Sequence, residues 1–591
     1  MPRLTDFKPL GRVDLPGLGS LDSSGLILLV GPNSSGKSQL LQDLFHRICG
    51  EPRDLVVAQN IDVRKPQDVE PFVELLVTDG YLERYRDPSG RNQLRPLTTY
   101  VGTGQAPALI EVGQPSNWWQ SYDAQGVSGI SRIEFLNYFG RFLVTALFLE
   151  RRLSSFVQGS PFDHQTQPPQ NDLQAFWMDD AARAGLLKEV RNTFSKAVWP
   201  DASRGNVLCL KVSDDPDAPT AEDKLSPKIM SKYRTIETEG DGLKSYVATC
   251  ISLLLGRRPI CLIDEPELCL HPPQAYNLGR FIGSFGASAE RVTFVATHSS
   301  HILRGVIQTA ERLQVVRLTH RDKSFQAHLV PSDFLKEVFV KPFARSETVL
   351  DGIFAQSVVV VEADGDRAVY QAVFETLSQE FPFDVHFTAV GGASGIADAC
   401  NLYRKLRIPT AVIADLDIIA NLAELKRIAL GIGDERTARP ILEAAARLSE
   451  QIKNLPPTIT AEDARRRLGE IASLGVDWSK GEDGILHTKL KELANDLDRM
   501  RRLKRGGLSS LPPEISGPAK ALVDDLARIG LFVVPVGELE GWLASRQIVV
   551  SKRTKWAWAS EAASKVRELG AQSDDVWTFM REVATFVTGG L

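Results

Sequence analysis

LILLVGPNSSGKSQLLQDLFHRI, residues 26–48, carries the first decision about this chain. LILLVG is an unbroken apolar run ending in glycine, and QLLQDLFHRI has the spacing of an amphipathic helix. That pattern predicts strand, loop, helix. The loop between them, GPNSSGKS at 31–38, satisfies G-x-x-x-x-G-K-[ST]. Its glycines let backbone N–H groups wrap phosphates, Lys37 reaches the β- and γ-phosphates, and the Ser38 hydroxyl ligates Mg²⁺. Gly31, Asn33, Ser34, Ser35, Gly36, Lys37 and Ser38 are therefore the expected nucleotide cradle.

Working outward, tight apolar runs ending in charged or small residues recur at 260–264, 292–297, 358–362, 411–415 and 531–536. Each is expected to be a parallel strand covered on both faces. Open α/β sheets put their ligands at strand carboxyl ends. Asp264 ends one such run and suits a Mg²⁺ shell, while Glu265 beside it can polarise an attacking water. His298 ends the next and can hydrogen-bond a γ-phosphate. EGDGLKS at 239–245 precedes a helix, so Gly240, Gly242 and Ser245 form a candidate anion site at a helix N-terminus. A plain helix-capping turn is the alternative.

A second acidic set lies downstream. VVVVEADGD at 358–366 puts Glu362 and Asp366 four apart at a strand-to-helix junction, where both can face one pocket. IADLD at 413–417 gives Asp415 and Asp417 period-2 spacing, so both fall on the same side of a strand end. GELEGW at 537–542 adds Glu538 and Glu540. Carboxylates so gathered repel one another unless a divalent ion removes the repulsion. An all-oxygen set suits Mg²⁺ or Mn²⁺ and phosphodiester chemistry.

The 591 residues exceed one hydrophobic core, which predicts about two to four domains. A net charge of −5 supplies no global attraction for nucleic acid, so any such surface is local. Candidate basic clusters are RRLKRGG at 501–507 and the lysines at 552–555. Six scattered cysteines show no ligand spacing and are expected to be buried thiols. No signal peptide opens the chain and no apolar run is long enough to span a bilayer, which predicts a soluble cytoplasmic protein without a membrane partner. An ATPase domain is expected over 1–345, with a helical insertion at about 150–235 that can serve dimerisation. The metal-carboxylate domain is expected over 346–591, interrupted by a helical lobe at about 420–527.

The order P-loop, GDGLKS, LIDEPELCLHP, VATHSSHIL resembles that of ABC-type ATPases of the RecF, SMC and OLD kind. In that family the signature segment completes the nucleotide site of a second subunit. The resemblance thus implies that Gly240, Gly242 and Ser245 act in trans, in a homodimer or higher homo-oligomer. GDGLKS departs from the common LSGGQ form. A glutamate and then D-x-D, each after a buried strand, resembles the TOPRIM domain of topoisomerases, primases and OLD (overcoming lysogenization defect) nucleases. GELEGW after a helical insertion, followed by SKRTKWAW, is similar to the OLD version, which includes the Gabija-type anti-phage nucleases.

That resemblance implies an α/β protein: an ABC/RecF-like ATPase domain with a helical insertion, then a TOPRIM domain with a Rossmann-like parallel sheet and its own helical insertion. It implies Glu362, Asp366, Asp415, Asp417 and Glu540 as metal ligands. It also implies a basic residue that steadies the scissile phosphate, Lys555 or, close behind it, Lys552. Ala363 stands where TOPRIM domains usually have glycine. The implied activity is ATP-binding and hydrolysing, divalent-metal-dependent DNA cleavage, with ATP and Mg²⁺ (or Mn²⁺) as cofactors. DNA is the expected partner, with room for a partner protein such as a helicase. The alternatives are a topoisomerase- or primase-like enzyme, and an ATP-switched clamp whose carboxylate pocket does not cut. The cysteine pattern excludes a primase zinc ribbon.

Overall fold

The computed structural model describes residues 3–97, 109–124, 126–154, 156, 158–218, 227–286, 291–341, 346–455, 459–474, 483–497, 503, 506–543, 546 and 555–589. The chain divides into two compact units, Met1–Val340 and Lys341–Leu591.

The first unit is built on six strands: β1 (Leu26–Val30), β2 (Val144–Leu147), β3 (Ile260–Asp264), β4 (Val292–Ala296), β5 (Leu313–Arg321) and β6 (Ser324–Val330). Their order is β6-β5-β1-β4-β3-β2, and every neighbouring pair is parallel except the β5–β6 hairpin. All five residues of β1 are buried, as the unbroken apolar run requires of a strand covered on both faces. Leu29 pairs with Ala296, and Ala296 with Asp264, so the carboxyl ends of β1, β4 and β3 stand level. Helices α1 (Lys37–Ile48), α2 (Asp241–Leu255), α3 (Pro272–Gly286) and α4 (Ser300–Thr309) flank this sheet.

The stretch at 150–235 is not the purely helical element expected. Helices Asp172–Met178 and Asp180–Phe194 are followed by strands Ala197–Asp201, Leu208–Ser213 and Arg234–Thr235, paired antiparallel. Every residue of Leu208–Ser213 is buried, Lys211 and Ser213 among them, so this strand is covered on both faces.

In the second unit β7 (Ser357–Val361), β8 (Val385–Ala389), β9 (Thr410–Ala414) and β10 (Leu531–Val533) form an all-parallel sheet of order β8-β7-β9-β10. Helices α5 (Asp364–Thr376), α6 (Ala393–Lys405), α7 (Lys555–Leu569) and α8 (Val576–Gly589) belong to the same unit. From β7 the chain runs to β8 on one side and returns to β9 on the other. The crevice at the carboxyl ends of β7 and β9 is therefore a topological switch point. Val359, Val361, Tyr370 and Trp577 are among the residues of the core behind it. Between β9 and β10 lie helices Leu422–Ile432, Glu435–Lys453, Ala461–Ala472, Asp483–Leu497 and Pro513–Arg528.

Five of the six free cysteines are buried, while Cys269 is exposed, contrary to expectation, in the loop after β3. Among the described residues no helix is long and apolar enough to cross a membrane.

Candidate nucleotide and carboxylate sites

The level ends of β1, β4 and β3 bring the first acidic set together. Gly36 caps α1 with φ +94°, a left-handed conformation that a side chain would strain. A Cβ there would also stand 2.8 Å from the Phe325 ring. Lys37, only 3% exposed, folds back on the loop, its Nζ donating to the carbonyls of Gly31 (2.9 Å) and Pro32 (2.8 Å). Ser38 Oγ donates to Asp264 Oδ1 at 2.8 Å, which joins the hydroxyl and carboxylate expected to share an ion. Asn33 and Ser34 are exposed on the loop, and Ser35 is buried beneath it.

Glu265 has φ +45°, unusual for a residue with a side chain and costing about 1 kcal/mol. Its N–H donates to Ala296 O at 2.8 Å. Its own carbonyl accepts from Arg152 Nη2 at 2.9 Å. Arg152 is 1% exposed and donates as well to the carbonyls of Leu147 and Asp264 and to Ser245 Oγ. One guanidinium thus ties the end of β2, the turn after β3 and helix α2. Replacing it with methionine strands several buried acceptors. Arg152→Met is expected to lower the first unit's unfolding free energy by about 2–4 kcal/mol, with Arg152→Lys in between, as read by chemical denaturation.

His298 follows β4, its Nε2 3.5 Å from Glu265 Oε1. Burial, and then the Lys37 charge, push its pKa down to about 4. The imidazole is therefore neutral near pH 7, and its contact with Glu265 is not an ion pair. Burial raises the carboxyls of Asp264 and Glu265 above their ordinary range, and for Glu265 the neighbouring Asp264 adds to the rise. Glu267 accepts from Thr297 Oγ1 (2.8 Å) and from His298 N (2.7 Å), which fixes where the histidine sits. His298 is thus neutral above about pH 5 in the nucleotide-free chain, and a phosphate bound beside it would raise its pKa. His298→Ala should slow turnover roughly 10–100-fold, the worth of one hydrogen bond to a charged group. A pH–rate profile of both proteins checks this.

The signature-like segment divides. Gly240 is exposed and caps α2, with nothing near the place of a Cβ. Gly242 lies against its own chain, where a Cβ would meet Cys269 O at 2.3 Å. Ser245 is fully buried and holds Arg152. Its side chain therefore faces inward, away from any surface where a second subunit's nucleotide could reach it. Of the three, only Gly240, at the N-terminus of α2, is exposed.

The second set gathers at the switch point. Glu362, Asp366, Asp415, Asp417 and Glu540 all line one cavity of about 550 Å³. Glu362 follows β7. Asp366 lies in the first turn of α5, where its Oδ2 accepts from Ala363 N at 3.0 Å and so caps the helix. Ala363 has φ −133°, which any residue adopts, so a glycine is not required there. Strand β9 stops at Ala414, and Leu416–Ile419 is a 3₁₀ turn. Asp415 and Asp417 therefore share the cavity by a turn around buried Leu416, not by strand alternation as expected. Leu416 N donates to Gly537 O at 2.9 Å, which draws the Glu540 loop beside them.

Tyr370 lies beneath, its hydroxyl accepting from Trp542 Nε1 at 3.2 Å. Burial pushes its phenol far up, and the charges of Asp366, Asp415 and Glu540 push it further. The five carboxylates ring the cavity without closing on one point. Among the described residues no three of His, Cys, Asp or Glu stand close enough to hold an ion. The donors themselves, all hard oxygens, suit Mg²⁺ or Mn²⁺. Lys555 begins α7, while Lys552 lies outside the described residues, as do Arg501, Arg502, Lys504 and Arg505.

Arg152, Glu267 and Tyr370 escaped the sequence. Arg152 sits in LERRL with nothing to distinguish it from a surface arginine, and its partners are 93 or more residues away except Leu147. Glu267 alone carried a signal, in its place beside Asp264 and Glu265.

Two family models match the chain. "Overcoming lysogenization defect protein-like, TOPRIM domain" matches residues 353–417, and "AAA domain, putative AbiEii toxin, Type IV TA system" matches residues 208–304. No curated protein matches in sequence. Similar solved structures include an SMC head bound to the C-terminal winged-helix domain of ScpA, at 11% identity, covering 56% of this chain and 100% of that one, with a TM-score of 0.31. The SMC head domain from Thermotoga maritima is similar at 12% identity, covering 55% and 100%, with a TM-score of 0.26. An SMC head with an extended coiled coil, bound to the C-terminal domain of ScpA and derived from Pyrococcus furiosus, gives 10%, 56%, 98% and 0.31.

Proposed function

We propose, for a chain that fits the OLD family of ATPase–TOPRIM proteins, that it is an ATP-hydrolysing, divalent-metal-dependent DNA endonuclease acting in anti-phage defence or DNA processing. The observation that carries this is the ring of five carboxylates on one cavity at the β7–β9 switch point. It shares a chain with a P-loop whose Ser38 meets Asp264.

In the first unit, the P-loop backbone and Lys37 bind the phosphates of ATP, and Ser38 and Asp264 would hold Mg²⁺. Glu265 orients the attacking water, and His298 hydrogen-bonds the γ-phosphate. The exposed turn at Gly240 meets the nucleotide of a second protomer in a homodimer.

In the second unit, Glu362, Asp366, Asp415, Asp417 and Glu540 would hold divalent ions. When bound, a pair of such ions activates water and neutralises the departing 3′ oxygen. Their charge also removes the repulsion that keeps these carboxylates apart. Lys555 steadies the scissile phosphate. DNA is held through phosphate contacts that do not read sequence and that weaken with salt. No comparison points to a helicase partner, and none is proposed.

The alternative reading is an ATP-switched clamp with an inactive cavity. Plasmid cleavage by the purified chain, with Mg²⁺ or Mn²⁺ and with or without ATP, separates the two. Metal-dependent nicking or cutting supports the nuclease, and the ATP comparison shows whether nucleotide licenses or restrains it. DNA-stimulated ATP turnover with no cleavage under any of these conditions supports the clamp.

A further inference from the structure

Trp556 is the one tryptophan among those described that lies exposed, at 58%. It lines the same cavity as Glu362, Asp366, Asp415 and Glu540. Its position follows from how α7 packs. Ala559, Ala563 and Val566 recur at helical spacing and are buried in the core. Gly365, in the first turn of α5, lacks a Cβ, and one placed there would stand 3.3 Å from the Ala559 methyl. The two helices therefore approach closely at that point. Trp556, three residues before Ala559, continues the same stripe one turn further. There α5 has not yet begun, and the carboxylate cavity opens before its first turn.

An indole left in water at that place is unlike the other described tryptophans of the unit, of which Trp558 packs half-buried against the core. Trp542 is buried and bonded to Tyr370, and Trp577 is fully buried and bonded to Thr376. Among the described residues, neither the core nor a hydrogen bond accounts for Trp556. A flat aromatic face beside a phosphodiester site matches a nucleobase, since every base offers a face for stacking whatever its sequence. A base within a paired duplex has both faces covered by its neighbours.

Resting on the nuclease reading above, we propose that Trp556 stacks on an unpaired base beside the scissile phosphate. The substrate class is then nucleic acid that is unpaired at the cut: a bubble, gap, flap or single strand. The stack supplies affinity without sequence preference.

The test uses the full chain and two labelled DNA duplexes of one sequence, one fully paired and one with a central unpaired bubble. Binding is measured with Ca²⁺ and cleavage with Mg²⁺ or Mn²⁺. The parent chain is expected to bind and cut the bubble in preference to the paired duplex. Trp556→Ala should lose roughly tenfold in affinity for the bubble, about the worth of one base–aromatic stack, with paired-duplex binding unchanged. Trp556→Phe should keep most of the preference, and retained paired-duplex binding shows that each variant is folded. If the parent cuts DNA and Trp556→Ala keeps the same preference, or the parent shows none, the stacking proposal is overturned while the nuclease stands. If the parent neither binds nor cuts either duplex, the nuclease reading fails and takes this proposal with it.

Discussion

A Lys37→Ala chain should turn over ATP at least about a hundredfold more slowly than its parent, the usual loss when one charge-stabilising group is removed. Lys37 Nζ is held by two carbonyls of its own loop in the nucleotide-free chain. Burial, opposed by Glu265, Glu267 and Asp264, brings its pKa down to about 8. Bound phosphate restores the charged form, so binding ATP takes up a proton wherever the free lysine is neutral. The affinity should therefore be level below about pH 8 and fall roughly tenfold for each pH unit above it. In Lys37→Met that fall should vanish.

The stability of the nucleotide-free chain runs the other way. The unfolded lysine, near 10.5, binds more protons than the folded one between about pH 8 and 10.5, so this group's contribution to stability rises with pH across that window. Equilibrium dialysis with labelled ATP from pH 7 to 9 reads the first effect, and phosphate release reads the turnover. Undiminished turnover in Lys37→Ala would falsify the P-loop assignment.

Glu362→Ala and Asp415→Ala are expected to lower cleavage by about 10²–10³ or more while sparing ATP turnover. A second readout is independent of cleavage. Asp366, Asp415 and Glu540 add their charges on Tyr370, so their field overlaps in one small volume. Removing a charge with Asp415→Asn relieves that repulsion, and the metal-free variant should melt no lower than the parent. Mg²⁺ or Mn²⁺ at a hundred times its dissociation constant should stabilise the parent by about 2.7 kcal/mol, and the variant by much less. Thermal melting with and without the ion measures both. Cleavage that survives in either alanine variant would place the metal chemistry elsewhere.

Where the sequence was legible, chain order and space agree. The strand–loop–helix at 26–48 is the centre of its sheet because an unbroken apolar run has few other places to lie. Glu362 and Asp415 follow adjacent parallel strands, so two distant motifs reach one crevice without any long-range guess. What failed were features decided by packing across the chain. The strand at Leu208–Ser213 is short and buried on both faces, its Lys211 and Ser213 included. Asp415 and Asp417 meet by a 3₁₀ turn that the D-x-D spacing does not announce. Ser245 looked like a surface anion ligand because serine near a helix start so often is one, and only the arrival of Arg152 shows that it points inward. Trp556 could be seen in SKRTKWAW, but its exposure depends on where α5 begins.

Arg152 has a consequence for timing. Its guanidinium grips Ser245 in α2 and, at once, the peptide oxygens of Asp264 and Glu265. The turn that would greet a second protomer begins the same helix as Ser245. In the proposed dimer, a tug on α2 at docking would thus reach the backbone of the strained Glu265 before water attacks. Hydrolysis in that dimer would then answer to the second protomer as well as to nucleotide.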